Sequence, residues 1–378
     1  MKKYIFIVVG LILLFLGCTP EAPQRVEVRG IWLRPPETKA ALVAAIDSLA
    51  DAGINMIFIE TWYHSHTIYP SKVAAQRPGF QGWDPLRVAL RQARRRGVEL
   101  HAWLEVLYAA NPKHLPDLPS PLLSEHPDWL NVSHHPRDHS AEDGKLFLNP
   151  VHPGVRSFMT DLVRELAVNY KVDGIHLDYI RYPVDDSTKA FGYDPVTIQR
   201  MQEETGVNPW HAPRTNRDAW ATFVTWKSAQ ITDLVVEIRR TVEAAEPRMA
   251  LSAAVFADYH ADSLRQTKCQ DWRSWVQGEV LDFVATMCYA GSDSLRDLEM
   301  RESMALSRVP VVIGVINRGL ERAEQIEAVY QSAMRHQPAG VAWFAHNWSS
   351  AAFYPTLAAA IYREPARPFA ASLRAGAR

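Results

Sequence analysis

The stretch Val172-Asp173-Gly174-Ile175-His176-Leu177-Asp178-Tyr179-Ile180-Arg181-Tyr182-Pro183 decides which fold we expect. It predicts a short buried strand that ends in polar and aromatic residues. Because side chains alternate across a strand, Ile175 and Leu177 should share one face and Asp178 should lie on the other. In a barrel of parallel strands, one face packs on helices, while the other faces the interior and its opening at the carboxyl ends. We therefore expect Asp178 at the mouth of a barrel.

A carboxylate in that position is costly unless it has a partner, which leaves two interpretations open. Arg181 could pair with Asp178 as a structural partner, or the chemistry of a site could use Asp178 directly. Groups that could act with Asp178 are expected at the carboxyl ends of the other strands.

Length and composition agree with a barrel. The chain has 378 residues, of which 47% are hydrophobic and 22% charged, as is ordinary for a globular protein with a full core. Its net charge is −1, so composition gives no indication of nucleic-acid binding. This length allows two domains or one large α/β barrel with insertions.

Apolar runs alternate with amphipathic helical patterns about eight times, which predicts parallel strands joined by helices. The expected strands are Val28 to Leu33, Asn55 to Glu60, Val98 to Leu104, the stretch quoted above, Met249 to Phe256, Asp282 to Tyr289, Val311 to Val315 and Gly340 to His346. The predicted fold is an α/β (β/α)8 TIM barrel. A long loop, Val106 to Pro153, follows strand three on the side where barrel sites lie, and an insertion, Asp194 to Pro213, follows strand four.

The chain begins with a targeting pattern. Lys2 and Lys3 precede an apolar run that is too short for a good membrane-spanning helix. Leu14-Phe15-Leu16-Gly17-Cys18 resembles a bacterial lipobox, with Phe15 where leucine is usual, and lipidation of Cys18 would supply a stable anchor. A plain signal peptide with an incidental cysteine is the alternative. We expect a signal peptide (1–17), a lipidated tether (18–26), the barrel (27–363) and a tail (364–378), held in the cell envelope at the outer membrane or cell surface.

Polar and aromatic residues are expected where the strands end. They are Arg34, Glu60, Trp62, Glu105, Asp178, Arg181, Asp258, Tyr289, Asn317, His346 and Trp348. Carboxylates among aromatic rings suit glycoside hydrolysis, which needs a proton donor and a second group that handles positive charge at the sugar carbon.

Several short motifs, taken in order, resemble one family. They are Arg29-Gly30-Ile31-Trp32-Leu33, Tyr69-Pro70-Ser71, Asp84-Pro85-Leu86, Arg96-Gly97-Val98-Glu99-Leu100-His101-Ala102-Trp103, His126-Pro127-Asp128-Trp129, Leu148-Asn149-Pro150, Pro153-Gly154-Val155-Arg156 and the stretch quoted first. The chain from about Glu27 to Ile361 resembles the family 10-like glycosyl hydrolases of bacterial lipoproteins. That resemblance implies hydrolysis of bacterial glycans, with peptidoglycan strands as the expected substrate.

Two motifs also resemble family 18 chitinases: Asp173 to Ile180 is similar to their strand-four signature, and Met287-Cys288-Tyr289 to their strand-six motif. In that family an aspartate and a tyrosine orient the N-acetyl group of the substrate, and a glutamate two residues after the aspartate is the acid. Asp178 and Tyr289 match the orienting pair. Ile180 occupies the position of the acid, so the mechanism does not transfer directly.

The proton donor must then come from elsewhere. Glu105 is the first choice, because it ends the neighbouring strand among apolar groups that could raise its pKa. Glu60 is the second choice and Asp258 the third. Asp178 as a nucleophile, with Glu105 as acid and base, is equally open. Glu105 could also be only a salt-bridge residue or an acceptor for a sugar hydroxyl.

The residues expected to contact a glycan are Arg34, Glu60, Trp62, Trp103, His176, Arg181, Asn317, Trp343, His346 and Trp348. Trp62, Trp343 and Trp348 are candidates for stacking on sugar rings, whereas His176 is expected to be a core histidine or to lie on the floor of the cleft. No spacing of cysteine and histidine indicates zinc, and we expect neither a metal nor a cofactor. A disulfide between Cys269 and Cys288 is permitted, although a small apolar residue would also fit at Cys288.

The expected function is hydrolysis of an N-acetylated polysaccharide of the bacterial envelope, with the polysaccharide and the membrane as partners. The alternative is a non-catalytic glycan-binding barrel, which Ile180 supports.

Overall fold

Eight parallel strands close into a ring in the computed structural model, which describes residues 25–135, 138–185, 189–257 and 267–367. The strands are β1 (Val28–Leu33), β2 (Met56–Tyr63), β3 (Glu99–Glu105), β4 (Gly174–Asp178), β5 (Ala250–Phe256), β6 (Phe283–Met287), β7 (Val311–Ile316) and β8 (Gly340–Phe344). Each strand pairs with the next, and Gly340 of β8 lies in register with Val28 of β1. The predicted (β/α)8 barrel is therefore confirmed.

Helices surround the ring. Those that follow the strands or form the insertion are α1 (Lys39–Asp51), α2 (Pro85–Arg96), α3 (Pro153–Glu165), α4 (Pro195–Thr205), α5 (Arg217–Ala245), α6 (Trp272–Gln277), α7 (Asp293–Leu306), α8 (Ala323–Met334) and α9 (Phe353–Thr356). The ends of α2 show how its sequence determines where a helix begins and ends. Asp84 accepts a hydrogen bond from the Arg87 amide at 2.9 Å, Pro85 opens the first turn, and Gly97 ends the helix at φ 68°.

The strand side chains alternate as predicted. On β3, Leu100, Ala102 and Leu104 belong to the main core between barrel and helices, whereas Trp103 belongs to a smaller cluster inside the barrel. Gly174 shows how tightly the interior is filled, because a Cβ atom there would lie 2.2 Å from the His101 ring. The barrel interior is thus a packed core, and a site can form only at its mouth.

The long segment after β3 is more regular than its sequence indicated. It contains an antiparallel pair, Tyr108–Ala110 with Leu146–Phe147, and a short helix, Pro121–Glu125. The insertion after β4 contains α4 and a 3-10 turn, Pro209–His211. Both segments extend the carboxyl side of the barrel, where the strands end.

The two ends of the described chain meet. Arg25–Val26 pairs in parallel with Ala366–Arg367, so parts of the predicted tether and tail form a small sheet. Cys269 and Cys288 are buried free thiols, so the permitted disulfide is absent. In the part of the chain that the structure describes, no helix combines the length and the apolar character needed to cross a membrane. The predicted lipidation at Cys18 lies outside the described residues.

Candidate active site

A cavity of about 220 Å³ lies at the carboxyl ends of the barrel strands. Six of the predicted site residues line it: Arg34, Trp103, Glu105, Asp178, Arg181 and Tyr289. The residues that complete its wall are Trp32, Tyr179, Ala254, Phe256, Gln270, Met287 and Phe344. The cavity therefore combines two carboxyl groups, two arginines and a largely aromatic lining.

The two carboxyl groups come from neighbouring strands. Glu105 ends β3, Asp178 ends β4, and the two residues are direct partners in the strand register. Both point into the barrel because each continues the inward-facing set of its strand. The prediction that brought them together from sequence is therefore correct in its geometry.

Asp178 is held by two hydrogen bonds. The Tyr179 amide donates to Oδ1 at 2.7 Å, and the Trp103 indole donates to Oδ2 at 3.0 Å. Burial raises the pKa of Asp178 above its ordinary value, while both hydrogen bonds favour the ionised form and oppose that rise. Asp178 is therefore a carboxylate fixed in one orientation at the cavity.

The residue that donates the first of these hydrogen bonds, Tyr179, has a strained backbone conformation. Tyr179 has φ 49°, in the left-handed region that side chains other than glycine rarely adopt. Such a conformation costs on the order of 1–3 kcal/mol and persists only where surrounding contacts enforce it. Here the Tyr179 ring is stacked on Tyr108, with ring centres 4.8 Å apart, which holds the residue in place.

Glu105 is in a different environment. Its side chain is almost completely buried, and Oε2 has no hydrogen-bond partner among the described residues. Burial raises the pKa of Glu105 well above its usual range, and repulsion from Glu60 and Asp178 raises it further. The nearest cation is Arg34, whose Nη2 lies 3.8 Å from Oε1. Burial therefore favours the protonated form more strongly at Glu105 than at Asp178, whose charged form accepts two hydrogen bonds, and this contrast suits one acid and one carboxylate.

Glu60 forms ion pairs with two arginines. The Nε of Arg34 donates to its Oε1 at 2.8 Å, and Arg77 Nη1 lies 3.8 Å from its Oε2. Glu60 does not line the cavity. The second choice for the acid is therefore a residue that positions Arg34, and the third choice, Asp258, lies outside the described residues.

Arg181 does not form an ion pair with Asp178, which was one of the two interpretations that the sequence left open. It pairs instead with Glu142 of the segment after β3, at 2.6 Å, and donates to the Tyr182 carbonyl at 2.9 Å. The sequence could not reveal this partner, because the two residues are far apart in the chain. Burial raises the pKa of Asp178, and the charge of Arg181 lowers it by a smaller amount.

Tyr289 also lines the cavity, and its ring stacks on Phe344 with centres 6.0 Å apart. Burial raises the pKa of Tyr289 well above its usual value, and the charge of Asp178 adds to the effect. The phenol is therefore protonated and can donate a hydrogen bond into the cavity.

Two predicted stacking residues lie elsewhere. Trp62 and Trp343 are completely buried in the core between the barrel and its helices. A register shift in the pairing of β2 with β3, between Glu60 and Trp62, turns Trp62 outward. Trp343 faces outward by simple alternation, and its neighbour Phe344 lines the cavity instead. The prediction that these two tryptophans contact sugar is therefore wrong.

The remaining predicted contacts surround the cavity without lining it. His176 lies inside the barrel, bonded to Ser252 Oγ at 2.9 Å, with a pKa well below its ordinary value because of burial. Asn317 is buried and donates to Ser349 Oγ at 2.9 Å. Trp348 packs its edge on Phe344, with centres 4.9 Å apart, and His346 lies in the same 3-10 turn. His176 is thus a neutral core histidine below the cavity.

Several lining residues were missed. Trp32, Phe256 and Phe344 lie on the inward-facing set of their strands, so strict alternation at the strand ends would have identified them. Gln270 comes from a loop, and its sequence gave no signal.

The comparisons agree with this architecture. The family model described as "Glycosyl hydrolase-like 10" matches residues 27–332. Glycosyl hydrolase YngK of Bacillus subtilis (strain 168) is 23% identical over 323 residues, covering 75% of this chain and 58% of that protein. Glycosyl hydrolase DigH of Escherichia coli (strain K12) is 24% identical over 309 residues, covering 69% of this chain and 65% of that protein. The chain thus spans about 58 to 65% of the length of these relatives.

Among solved structures, the PgaB (BpsB) glycoside hydrolase domain from Bordetella bronchiseptica matches with a TM-score of 0.62 and 16% identity. The match covers 84% of this chain and 93% of that one, and at this identity it shows the fold alone. Because the family model covers most of the sequence, the resemblance seen in the motifs is confirmed: the chain belongs to the glycosyl hydrolase-like 10 family.

Proposed function

We propose that this protein is a glycoside hydrolase that cleaves an N-acetylated polysaccharide of the bacterial envelope, with peptidoglycan glycan strands as its substrate. The observation that carries the proposal is the Glu105 and Asp178 pair, two neighbouring carboxyl groups in one cavity with contrasting surroundings. Membership of a glycosyl hydrolase-like family and the barrel fold support the same chemistry.

In this proposal Glu105 is the acid that protonates the leaving oxygen. Its burial and the unpartnered Oε2 keep the proton on the carboxyl group and leave it able to donate. Asp178 is the ionised partner that stabilises positive charge at the sugar carbon, either by attacking it or by orienting an N-acetyl group that does so.

Tyr289 is the second group that contacts the N-acetyl substituent. Its protonated phenol, in the lining of the same cavity, can donate to the acetamide while Asp178 accepts from it. If the acetamide participates, chemically N-deacetylated glycan strands should be cleaved far more slowly than acetylated ones by the same enzyme.

We also propose that Cys18 carries a lipid anchor that holds the barrel at the outer membrane or cell surface. The lipobox-like sequence supports it, and metabolic labelling with an alkyne fatty acid tests it. Labelling that persists after Cys18→Ala would contradict this assignment.

The central experiment uses soluble protein beginning at Thr19 and purified peptidoglycan glycan strands, with new reducing ends counted by mass spectrometry. Glu105→Gln and Asp178→Asn should each lower kcat by about 10²–10⁴. Glu99→Gln is the matched control, because Glu99 lies at the opposite end of the same strand and should leave kcat unchanged.

Equal kcat for the wild type and both cavity variants would overturn the assignment of the acid and its partner. Binding of glycan strands by the wild type without any new reducing ends would instead favour a barrel that only binds glycan.

A further inference from the structure

A second aromatic surface lies on the carboxyl side of the barrel. Trp210 belongs to the 3-10 turn Pro209–His211 in the insertion after β4, and it is 54% exposed. Every other tryptophan of the chain is buried or half-buried. Because this insertion joins the carboxyl end of β4 to the start of α5, Trp210 lies on the side of the barrel where the cavity opens.

The Trp210 ring is held in place from behind. Tyr193 packs against it with ring centres 4.8 Å apart at 61°, and Tyr193 in turn contacts Phe223 at 5.6 Å. The Asn208 side chain accepts a hydrogen bond from the Trp210 amide at 3.0 Å, and Pro209 is buried. A ring fixed in this way loses little conformational entropy when it binds a ligand.

A short series of contacts connects Trp210 to the wall of the cavity. Tyr182, next to the cavity-lining Arg181, lies 5.0 Å from the Lys227 ammonium group, which is 4.4 Å from the Phe223 ring. Phe223 then contacts Tyr193, which supports Trp210. The buried ion pair of Lys227 with Asp185 at 2.5 Å fixes this arrangement. These buried contacts connect the wall of the cavity to the support of Trp210 through the core.

We propose that Trp210, backed by Tyr193, is a glycan-binding platform outside the cavity, where the indole stacks on one sugar ring of the polysaccharide being cleaved. This inference rests on the proposed function for the identity of its ligand. The C–H faces of a sugar ring are apolar and match an indole in size. A protein partner would need a much larger contiguous apolar surface. The other large exposed hydrophobic residues, Val26, Val168 and Leu295, belong to other elements.

The test separates binding from cleavage. In the inactive Asp178→Asn background, binding to insoluble peptidoglycan sacculi is measured by co-sedimentation, with and without Trp210→Ala. In the active protein, kcat/KM is compared on long glycan strands and on a disaccharide-repeat tetrasaccharide. Trp210→Ala should weaken sacculus binding and long-strand kcat/KM about three- to tenfold, as expected for loss of one aromatic contact, and leave the tetrasaccharide unchanged.

Trp210→Phe keeps a stacking ring and should restore most of the affinity. Leu295→Ala removes an exposed apolar side chain on α7 and should have no effect. Equal sacculus binding with and without Trp210 overturns the platform alone. Binding that depends on Trp210 in a protein that never cleaves glycan overturns the proposed hydrolase but retains the platform, whereas no binding by the parent overturns both.

Discussion

Two carboxyl groups in one cavity can divide acid and carboxylate roles only if their surroundings differ. Asp178 accepts two hydrogen bonds that favour its charge, whereas one oxygen of Glu105 has no partner among the described residues. Ionising Glu105 in the folded protein therefore costs free energy, and the pH dependence of protein stability measures that cost.

Glu105→Gln should therefore be more stable than the wild type, and the difference in their free energies of unfolding should grow as pH rises. In the unfolded chain, a glutamate loses its proton at about pH 4.3. Burial raises the pKa of Glu105 in the folded protein, so the folded state retains a proton that the unfolded state has released. Wild-type stability then falls as pH rises through that window, and glutamine removes the loss. We expect the variant to be more stable by about 1–3 kcal/mol at pH 8, and by less at pH 5, in urea unfolding.

The exposed Glu327→Gln on α8 is the matched control and should show no such pH-dependent gain. A constant difference between Glu105→Gln and wild type across this pH range would mean that Glu105 titrates normally.

Trp103→Phe should shift the acid limb of the profile of kcat/KM against pH to higher pH, which narrows the pH range of activity. The indole of Trp103 donates to Asp178 at 3.0 Å, and losing that donor raises the pKa of the carboxyl group further. More Asp178 is then protonated at low pH, so kcat/KM below the optimum should fall about tenfold, which corresponds to roughly 1.4 kcal/mol from one hydrogen bond to a charged group.

Trp275→Phe is a suitable comparison, because this buried indole donates to Thr232 at 2.9 Å, away from the cavity. An acid limb that stays in place for Trp103→Phe would show that the indole does not control the protonation of Asp178.

At the residue scale, the sequence predicted where side chains lie better than it predicted which groups they contact. Alternation along β3 and β4 placed Glu105 and Asp178 correctly, because a strand fixes direction by local geometry alone. It failed at Trp62, where a register shift between two strands reverses the side chain. The partner of Arg181 depends on a loop that folds back from β3, and no local pattern encodes that contact.

At the scale of elements, one carboxylate links the segment after β3 to the loop that follows β4. Glu142 accepts from Arg181 at 2.6 Å and from the Val184 amide at 3.3 Å. Burial alone would raise the pKa of Glu142, but the charge and hydrogen bond of Arg181 act together with backbone hydrogen bonds to outweigh it, and the pKa is lowered. This contact therefore stabilises the fold above the ordinary pKa of glutamate, and that contribution is lost as pH falls through the lowered value.

Glu142→Gln should loosen this segment while the barrel stays folded. A buried guanidinium would lose its anion, which costs about 1–3 kcal/mol, and the segment from 106 to 153 should exchange its amide hydrogens faster at pH 7. Hydrogen-exchange mass spectrometry measures this directly. Asp143→Asn changes the next residue, whose ion pair with Lys113 is exposed, and should have little effect.

Unchanged exchange in Glu142→Gln would show that the antiparallel pair, Tyr108–Ala110 with Leu146–Phe147, holds the segment without the ion pair. This small sheet was not predicted, because its strands are too short to show alternation. The long helices leave a clearer pattern in the sequence, since each carries caps and an apolar face over several turns.

At the scale of the whole molecule, barrel closure follows from the number and order of strands, which the sequence shows clearly. What the sequence did not show is the contact between the two ends of the described chain. The Glu27 amide donates to the Arg367 carbonyl at 3.1 Å, and Asn55 Nδ2 lies 3.3 Å from the Ala366 carbonyl. Two-residue strands have too little pattern to be recognised, and their pairing depends on the barrel already being closed.

This contact should make a short part of the predicted tail structurally important. Protein ending at Arg363 loses the pairing of Arg25–Val26 with Ala366–Arg367, whereas protein ending at Arg367 keeps it. Loss of these hydrogen bonds should lower the free energy of unfolding by about 1–2 kcal/mol, or Tm by several degrees, relative to the longer version. Equal Tm values for the two truncations would mean that the barrel alone anchors the segment before β1. A lower Tm for the version that ends at Arg363 would show that this small sheet stabilises the barrel.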